Sequence, residues 1–322
     1  MKRLLILLGI ALLLGAIYFF AKISKEEPVL VSDKFRIKDT ASIQRIEITF
    51  DKFENMTFER SRDHWMLQRN HRARANAMEN LLEVLEQLQI KYIPQEAAKK
   101  NIERDMANIG IDVMVYEKNG DVLKHYIIGS STVDERGTIV KLAGENQAYV
   151  THLPTLEGSV RGRFIMRYDE WRDRSVFGDE TSDIEKVEVE YPRQQGESFR
   201  IDGDEVVSLS TNKRIKSKAK IDQYIDSFSS VIAEAYENSN PYQDSIRQLL
   251  PFCTIKVELV NGEQRRLNLY PVENYVEQSL VTLSDTPRIN RYFGDTSYGD
   301  FLLLQQRIVG RLLRGFSYFA EE

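Results

Sequence analysis

Cysteine is almost missing from this chain: Cys253, within "PFCTIKVEL", is the only one in 322 residues. It has no partner for an intramolecular disulfide, cannot build a thiolate metal site alone, and lies far from the N-terminus, where a lipid-attachment cysteine would sit. Its apolar neighbours predict a small buried residue. Histidine is scarce too. His64, His71, His125 and His152 are scattered, with no H-E-x-x-H and no pair at ligand spacing, so neither a metal site nor a cofactor is expected. No G-x-S-x-G elbow, P-loop lysine or strand-following G-x-G-x-x-G is present. Asp202 and Asp204 flank Gly203 without the remaining ligands of a calcium loop, and a hairpin turn is expected there. Positive charge is not in excess either. Lys and Arg total 44 against 49 Asp and Glu, giving a formal net charge of -5, which excludes general nucleic-acid binding. A hydrophobic content of 42% with 10% aromatics excludes a disordered chain. With no catalytic constellation in view, a non-enzymatic role is expected.

The clearest positive signal is at the N-terminus. "MKRLLILLGIALLLGAIYFFAKISK" places Lys2 and Arg3 before an uninterrupted apolar run over residues 4–20, with Ala21 and Ile23 just beyond. That length is at the short end of what spans a bilayer core. A cleavable signal peptide starts in a similar way, but its exit wants small residues, and here the exit reads Ile17, Tyr18, Phe19, Phe20. Those rings suit an interfacial aromatic belt. The expectation is an uncleaved transmembrane anchor over residues 1–24 that contacts lipid through residues 4–23. The short leader favours an N-terminus-inside arrangement, although Lys22, Lys25 and Lys34 weaken the charge asymmetry.

The rest of the chain is written twice. "IQRIEITF" from Ile43 and "IEKVEVEY" from Ile184 alternate like half-buried strands, at an offset of 184 minus 43, or 141 residues. "FERSRDHWML" from Phe58 meets "FRIDGDEVVSL" from Phe199 at the same offset, and both read as hairpins. Two amphipathic helices come next. Met78, Leu81, Leu82, Leu85 and Leu88 recur in one, and Ile221, Tyr224, Ile225, Phe228 and Val231 in the other. Shorter helices are expected over about 95–107 and 242–250, the second stopped by Pro251. "DVMVYEKNGDVLKHYIIG" then aligns with "TIKVELVNGEQRRLNLYP", with Asn119-Gly120 on Asn261-Gly262, a strong hairpin signal. A further strand is expected at "TIVKL" from Thr138 and at "LVTL" from Leu280. The fold class is α+β: a transmembrane helix, then two tandem repeats of a mostly antiparallel sheet with packed helices. The repeats are placed at 33–158 and 181–322, joined by a packed linker over 159–180, and a C-terminal helix is expected at the end.

Three basic groups are candidate contacts for an anion or a partner. Arg69, Arg72 and Arg74, with His71, precede the first long helix. Lys213, Arg214, Lys216 and Lys218, with Lys220, precede the second, where helix N-termini favour negative charge. In the terminal stretch "YGDFLLLQQRIVGRLLRGFSYF", helical spacing puts Leu304, Ile308, Leu312 and Phe316 on one face and Arg307, Arg311 and Arg314 on another. Such a helix can lie on an anionic membrane, fit a partner's groove or cover its own sheet; Gly310 and Gly315 favour the last.

The order of these features, with "IQRIEI", "FERSRDHWML", "NIGID" from Asn108, "IIGS" from Ile127 and "WRDRSVF" from Trp171, resembles the large bacterial family catalogued as domain of unknown function 4340. The second copy departs from the pattern, with Pro251 and Phe252 in place of "NIGID" and Pro271 in place of the glycine of "IIGS". The resemblance carries no catalytic residues. It implies a membrane-anchored bacterial chain and, as context, ABC-type transport systems of the gliding-motility kind. The expectation is a single-pass inner-membrane protein whose periplasmic body is an accessory or scaffold subunit with protein partners in that membrane. The alternative is a periplasmic binding module for an anionic glycan or lipid head group.

Overall fold

The computed structural model describes residues 33–50, 54–177, 183–272 and 289–320. The apolar run of residues 4–20 and the strand expected from Leu280 lie outside them. Among the described residues no helix is long and apolar enough to cross a membrane.

The chain divides into two compact units, one running through Arg172 and the other from Asp173. The first contains β1 (Ile43–Thr49), β2 (Met56–Arg60), β3 (Trp65–Leu67), β4 (His71–Arg72), β5 (Gln89–Tyr92), β6 (Ile111–Glu117), β7 (Val122–Ser131), β8 (Thr138–Leu142) and β9 (Tyr149–His152). They form one sheet in the order β4-β3-β2-β1-β6-β7-β8-β9-β5. The second contains β10 (Ile184–Glu190), β11 (Phe199–Asp202), β12 (Glu205–Ser208), β13 (Arg214–Lys216), β14 (Ala235–Tyr236), β15 (Cys253–Leu259), β16 (Gln264–Val272), β17 (Arg291–Thr296) and β18 (Phe301–Gln305). Their order is β13-β12-β11-β10-β15-β16-β17-β18-β14, the same arrangement step for step. The body is therefore α+β, built on two antiparallel sheets of one topology.

Detail repeats with topology. The pairing of β1 with β6 shifts register between Ile43 and Arg45, and that of β10 with β15 shifts at the equivalent Ile184 and Lys186. At the Asn-Gly hairpins, Asn119 Oδ1 accepts from the Asp121 amide at 2.9 Å and Asn261 Oδ1 from the Glu263 amide at 2.8 Å. Gly120 and Gly262 hold φ of 90° and 81°, which a side chain would oppose.

One difference is a slide. Ile46 pairs with Phe58, whereas Val187, its partner at an offset of 141, pairs with Ile201 and not with Phe199. The first hairpin of the second unit is thus displaced by two residues along its neighbour. An even displacement keeps every side chain on its own face, so Phe58 and Phe199 are both buried.

The long helix Ala75–Gln87 lies on one face of the first sheet, burying Met78, Leu81 and Leu85, with Leu88 just past its end. In the second unit the helix Lys218–Asp226 continues as a 3₁₀ turn over Ser227–Ser230, and Ile221, Tyr224, Phe228 and Val231 are buried. The turn tightens where serines crowd. Ser227 Oγ donates to the Tyr224 carbonyl at 2.6 Å, Ser229 to that of Asp226 at 2.8 Å and Ser230 to that of Ser227 at 3.1 Å.

The opposite face carries the shorter helix Lys99–Ile109, whose Ile102 and Met106 pack on Ile127 and Ile139. Two glycines make room for Met106. A Cβ on Gly110 would come within 2.3 Å of the Met106 carbonyl oxygen, and one on Gly129 within 3.1 Å of the Met106 methyl. These are the glycines of "NIGID" and "IIGS". In the second unit, where both motifs are replaced, the helix shrinks to Gln243–Arg247 and is held by polar contacts, Arg247 Nε donating to Asp295 at 2.8 Å.

The single C-terminal helix is corrected. Phe301–Gln305 is a strand between β17 and β14, and two short helices, Gln306–Val309 and Phe316–Ala320, come after it. A short apolar run such as Phe301 to Leu304 suits a buried strand as well as a helix, and Gly310 and Gly315 break the helical stretch beyond it. Leu304, Leu312 and Phe316 are buried all the same.

This ending has a counterpart where the sequence suggests a linker. "GRFIMRYDEW" from Gly162 and "GRLLRGFSYF" from Gly310 stand 310 minus 162, or 148, residues apart. Phe164 and Leu312 are buried, Ile165 and Leu313 half-buried, and Trp171 and Phe319 buried. Trp171 meets Phe58 with ring centroids 4.6 Å apart, and Phe319 meets Phe199 at 5.0 Å. Residues through Arg172 therefore close the first unit's own core, while Val176 and Phe177 enter the second.

Candidate functional site

Most of the basic side chains preceding the long helices already hold partners. Arg69 Nε donates to Glu59 at 2.8 Å. Arg72 lies in β4, and the Arg74 amide donates to the Trp171 carbonyl at 2.7 Å. In the second unit Arg214 bridges Glu205 at 2.6 Å, Lys216 lies 3.7 Å from the same carboxylate, and Lys218 pairs with Asp222 at 3.3 Å. Lys213 is exposed beside Thr211, and Lys220 Nζ donates to the Tyr318 carbonyl at 2.9 Å. Arg69, Arg214, Lys216 and Lys218 thus neutralise acids one strand or one helical turn away.

The terminal arginines are different. Arg307 turns back to Gln305, but Arg311 and Arg314 line a groove of about 570 Å³ in the second unit. Its other wall is the end of the long helix: Gln223, Asp226, Ser227, Ser229 and Ser230, with Tyr224 and Tyr318 beneath. Arg311 Nη1 donates to Ser230 Oγ at 3.4 Å, and the Arg314 guanidinium lies over the Tyr318 ring, 5.0 Å from its centroid. Among the described residues neither forms an ion pair.

The segment bearing them is fixed from below. Tyr224 donates to the Leu312 carbonyl at 2.9 Å and Tyr191 to that of Arg314 at 2.8 Å. Burial pushes both phenols far above their ordinary range, so each stays a donor. Glu197 accepts from the Ser317 amide and hydroxyl at 3.0 and 2.8 Å, and the missing side chain of Gly315 leaves it space.

The first unit arranges the same parts otherwise. Arg163, at the position of Arg311, donates to Glu83 at 2.6 Å and to the Asn80 carbonyl at 3.0 Å. Thr155 donates to the other oxygen of Glu83 at 2.9 Å. These hydrogen bonds, Arg163 first, hold the Glu83 carboxyl below its usual range.

Two other features stand outside this groove. A concavity of about 460 Å³ over the outer face of the second sheet is lined in part by charges that pair with one another, Lys256 with Glu188 at 2.9 Å and Lys186 with Glu258 at 3.6 Å, beside Arg200 and Arg266. On the first sheet His125 Nε2 lies 2.8 Å from Asp112, a pair the sequence hides because a hairpin separates the two by thirteen residues. Among the described residues no cluster of three or more His, Cys, Asp or Glu could hold a metal ion.

Serine hydroxyls at positions 227, 229 and 230 escape sequence reasoning, since nothing local ties them to arginines about eighty residues on. The repeat of "GRFIMRYDEW" is the signal that finds them, because it sets Arg311 where Arg163 stands. No curated protein and no solved structure matches the chain. A family model matches from Arg69 in the first unit to Ser245 in the second, more than half of the sequence: over residues 69–245 the chain belongs to the family described as Domain of unknown function (DUF4340).

Proposed function

We propose that this chain is a non-enzymatic, single-pass protein of the bacterial inner membrane, its twin α+β body held in the periplasm as an accessory or scaffold subunit of a membrane assembly of the ABC-transporter or gliding-motility kind. One observation carries the reading: an apolar run at residues 4–20 leads directly into a body whose two sheets share one strand order. A tether of that kind keeps two similar surfaces at high local concentration beside membrane partners. Fractionation tests it. Crosslinked in cells, extracted in mild detergent and run on a gradient, the protein migrates with other inner-membrane proteins; migration as a lone monomer in every extract overturns the proposal.

The second reading, a periplasmic module that holds an anionic glycan or lipid head group at the basic groups before the long helices, is the weaker one for those residues. Arg69 and Arg214 already serve Glu59 and Glu205. Charge reversal at Arg72 and Arg74 together with Lys216 and Lys218 separates the two. Loss of the assembly without loss of anion retention favours the scaffold, and the reverse favours the module.

A further inference from the structure

We propose that the groove of the second unit binds a small anionic polyol, a carboxylate or phosphate carried beside hydroxyl groups, and that the first unit has closed its own copy of this site with Glu83. The equivalences come from the core. Met78 and Ile221, Leu81 and Tyr224, and Leu85 and Phe228 fill matching places 143 residues apart, as 221 minus 78 gives. The same step sets Glu83 on Asp226 and Asn80 on Gln223. On the closing segment the step is 148, which sets Arg163 on Arg311 and Met166 on Arg314.

Two substitutions bear on the arginines, and the serines at 227, 229 and 230 stand where the first unit has Val84, Glu86 and Gln87. Glu83 reaches Arg163 at 2.6 Å. Asp226 is one methylene shorter, and Arg311 meets Ser230 instead. Where the first unit carries Met166, the second carries Arg314, adding a second guanidinium on the same wall. Two guanidiniums that neutralise no acid among the described residues, on a segment pinned by Tyr191 and Tyr224, form a preorganised place for an oxyanion.

The serines specify the rest of the ligand. Ser227, Ser229 and Ser230 direct their protons to helix carbonyls, so each presents only lone pairs to the groove. Asp226 likewise accepts. A bare anion would meet these acceptors unfavourably, whereas hydroxyls next to the acidic group would donate to them. An acidic sugar and a glycerophosphate head group share that chemistry.

The test uses the full chain in neutral detergent, titrated with glucose 6-phosphate in one arm and with nonionic micelles carrying phosphatidylglycerol in the other. Saturable binding in at least one arm is expected; the first alone marks a soluble sugar acid as the source, the second a lipid. Asp226→Glu restores the longer carboxylate of the first unit, pairs Arg311 and weakens binding about tenfold or more with the fold intact by circular dichroism. Arg314→Met does the same from the other side. Absence of binding in both arms at millimolar ligand, or binding indifferent to both variants, overturns the inference.

Discussion

Trp171 lies edge-on against Phe58, with ring centroids 4.6 Å apart and planes at 61°, and this contact joins the end of the first unit's chain to its second strand. Phe319 repeats it on Phe199 at 60°. Each unit thus ends on an aromatic that its sheet needs. A segment rich in arginine and lacking glycine-serine linker character is, in physical terms, the last piece of a core.

Removing either ring should therefore cost what a buried aromatic costs. Trp171→Ala and Phe319→Ala are each expected to lower stability by about 3–5 kcal/mol. Urea unfolding monitored by circular dichroism measures it. A loss below about 1 kcal/mol in both variants would show that the segment covers the sheet without closing it.

Gly110 is held by packing and not by backbone angle. Its φ is −61°, ordinary for any residue, but an added Cβ would sit 2.3 Å from the Met106 carbonyl oxygen. Gly110→Ala should cost about 1–3 kcal/mol by displacing the end of the helix Lys99–Ile109. The same urea titration reads it, and a neutral result would mean that the helix end moves freely.

Cys253 should be chemically silent in the folded protein. Burial is the chief reason its thiol is pushed up from 9.0 to about 12. The neutral thiol is the form the fold prefers, so this contribution to stability is complete below pH 9 and is lost as pH rises from there towards 12. Alkylation by iodoacetamide at pH 8 is expected only on unfolding, and a native rate near that of a free thiol would contradict the buried site.

Much of this architecture was legible in the residues. The alternation of "IQRIEITF" and "IEKVEVEY", the paired Asn-Gly turns and the helical stripes from Met78 and Ile221 each arise from a period that burial imposes. The slide of the second hairpin was not, because a displacement of two residues leaves alternation unchanged. Nor were the short strands His71–Arg72, Gln89–Tyr92 and Ala235–Tyr236, which are too short to show an alternation and are set by hydrogen bonds to a neighbouring strand. The C-terminal stretch misled for a related reason: Phe301 to Leu304 is apolar on consecutive positions, and only pairing with its neighbours decides for strand. Among the candidate contacts, Arg311 and Arg314 meet in one groove while Arg307 does not, a separation that helical spacing could not show once the helix was broken.

In the proposed function the body stands outside the cytoplasm on an N-terminal membrane tether. Since Cys253 is buried, one engineered thiol gives a clean report, and Val133 on the first unit is fully exposed. In intact spheroplasts of a bacterium expressing the full chain, a membrane-impermeant maleimide should label Val133→Cys as fully as it does after permeabilisation. Labelling that appears only once the membrane is broken would place the body in the cytoplasm and contradict the account.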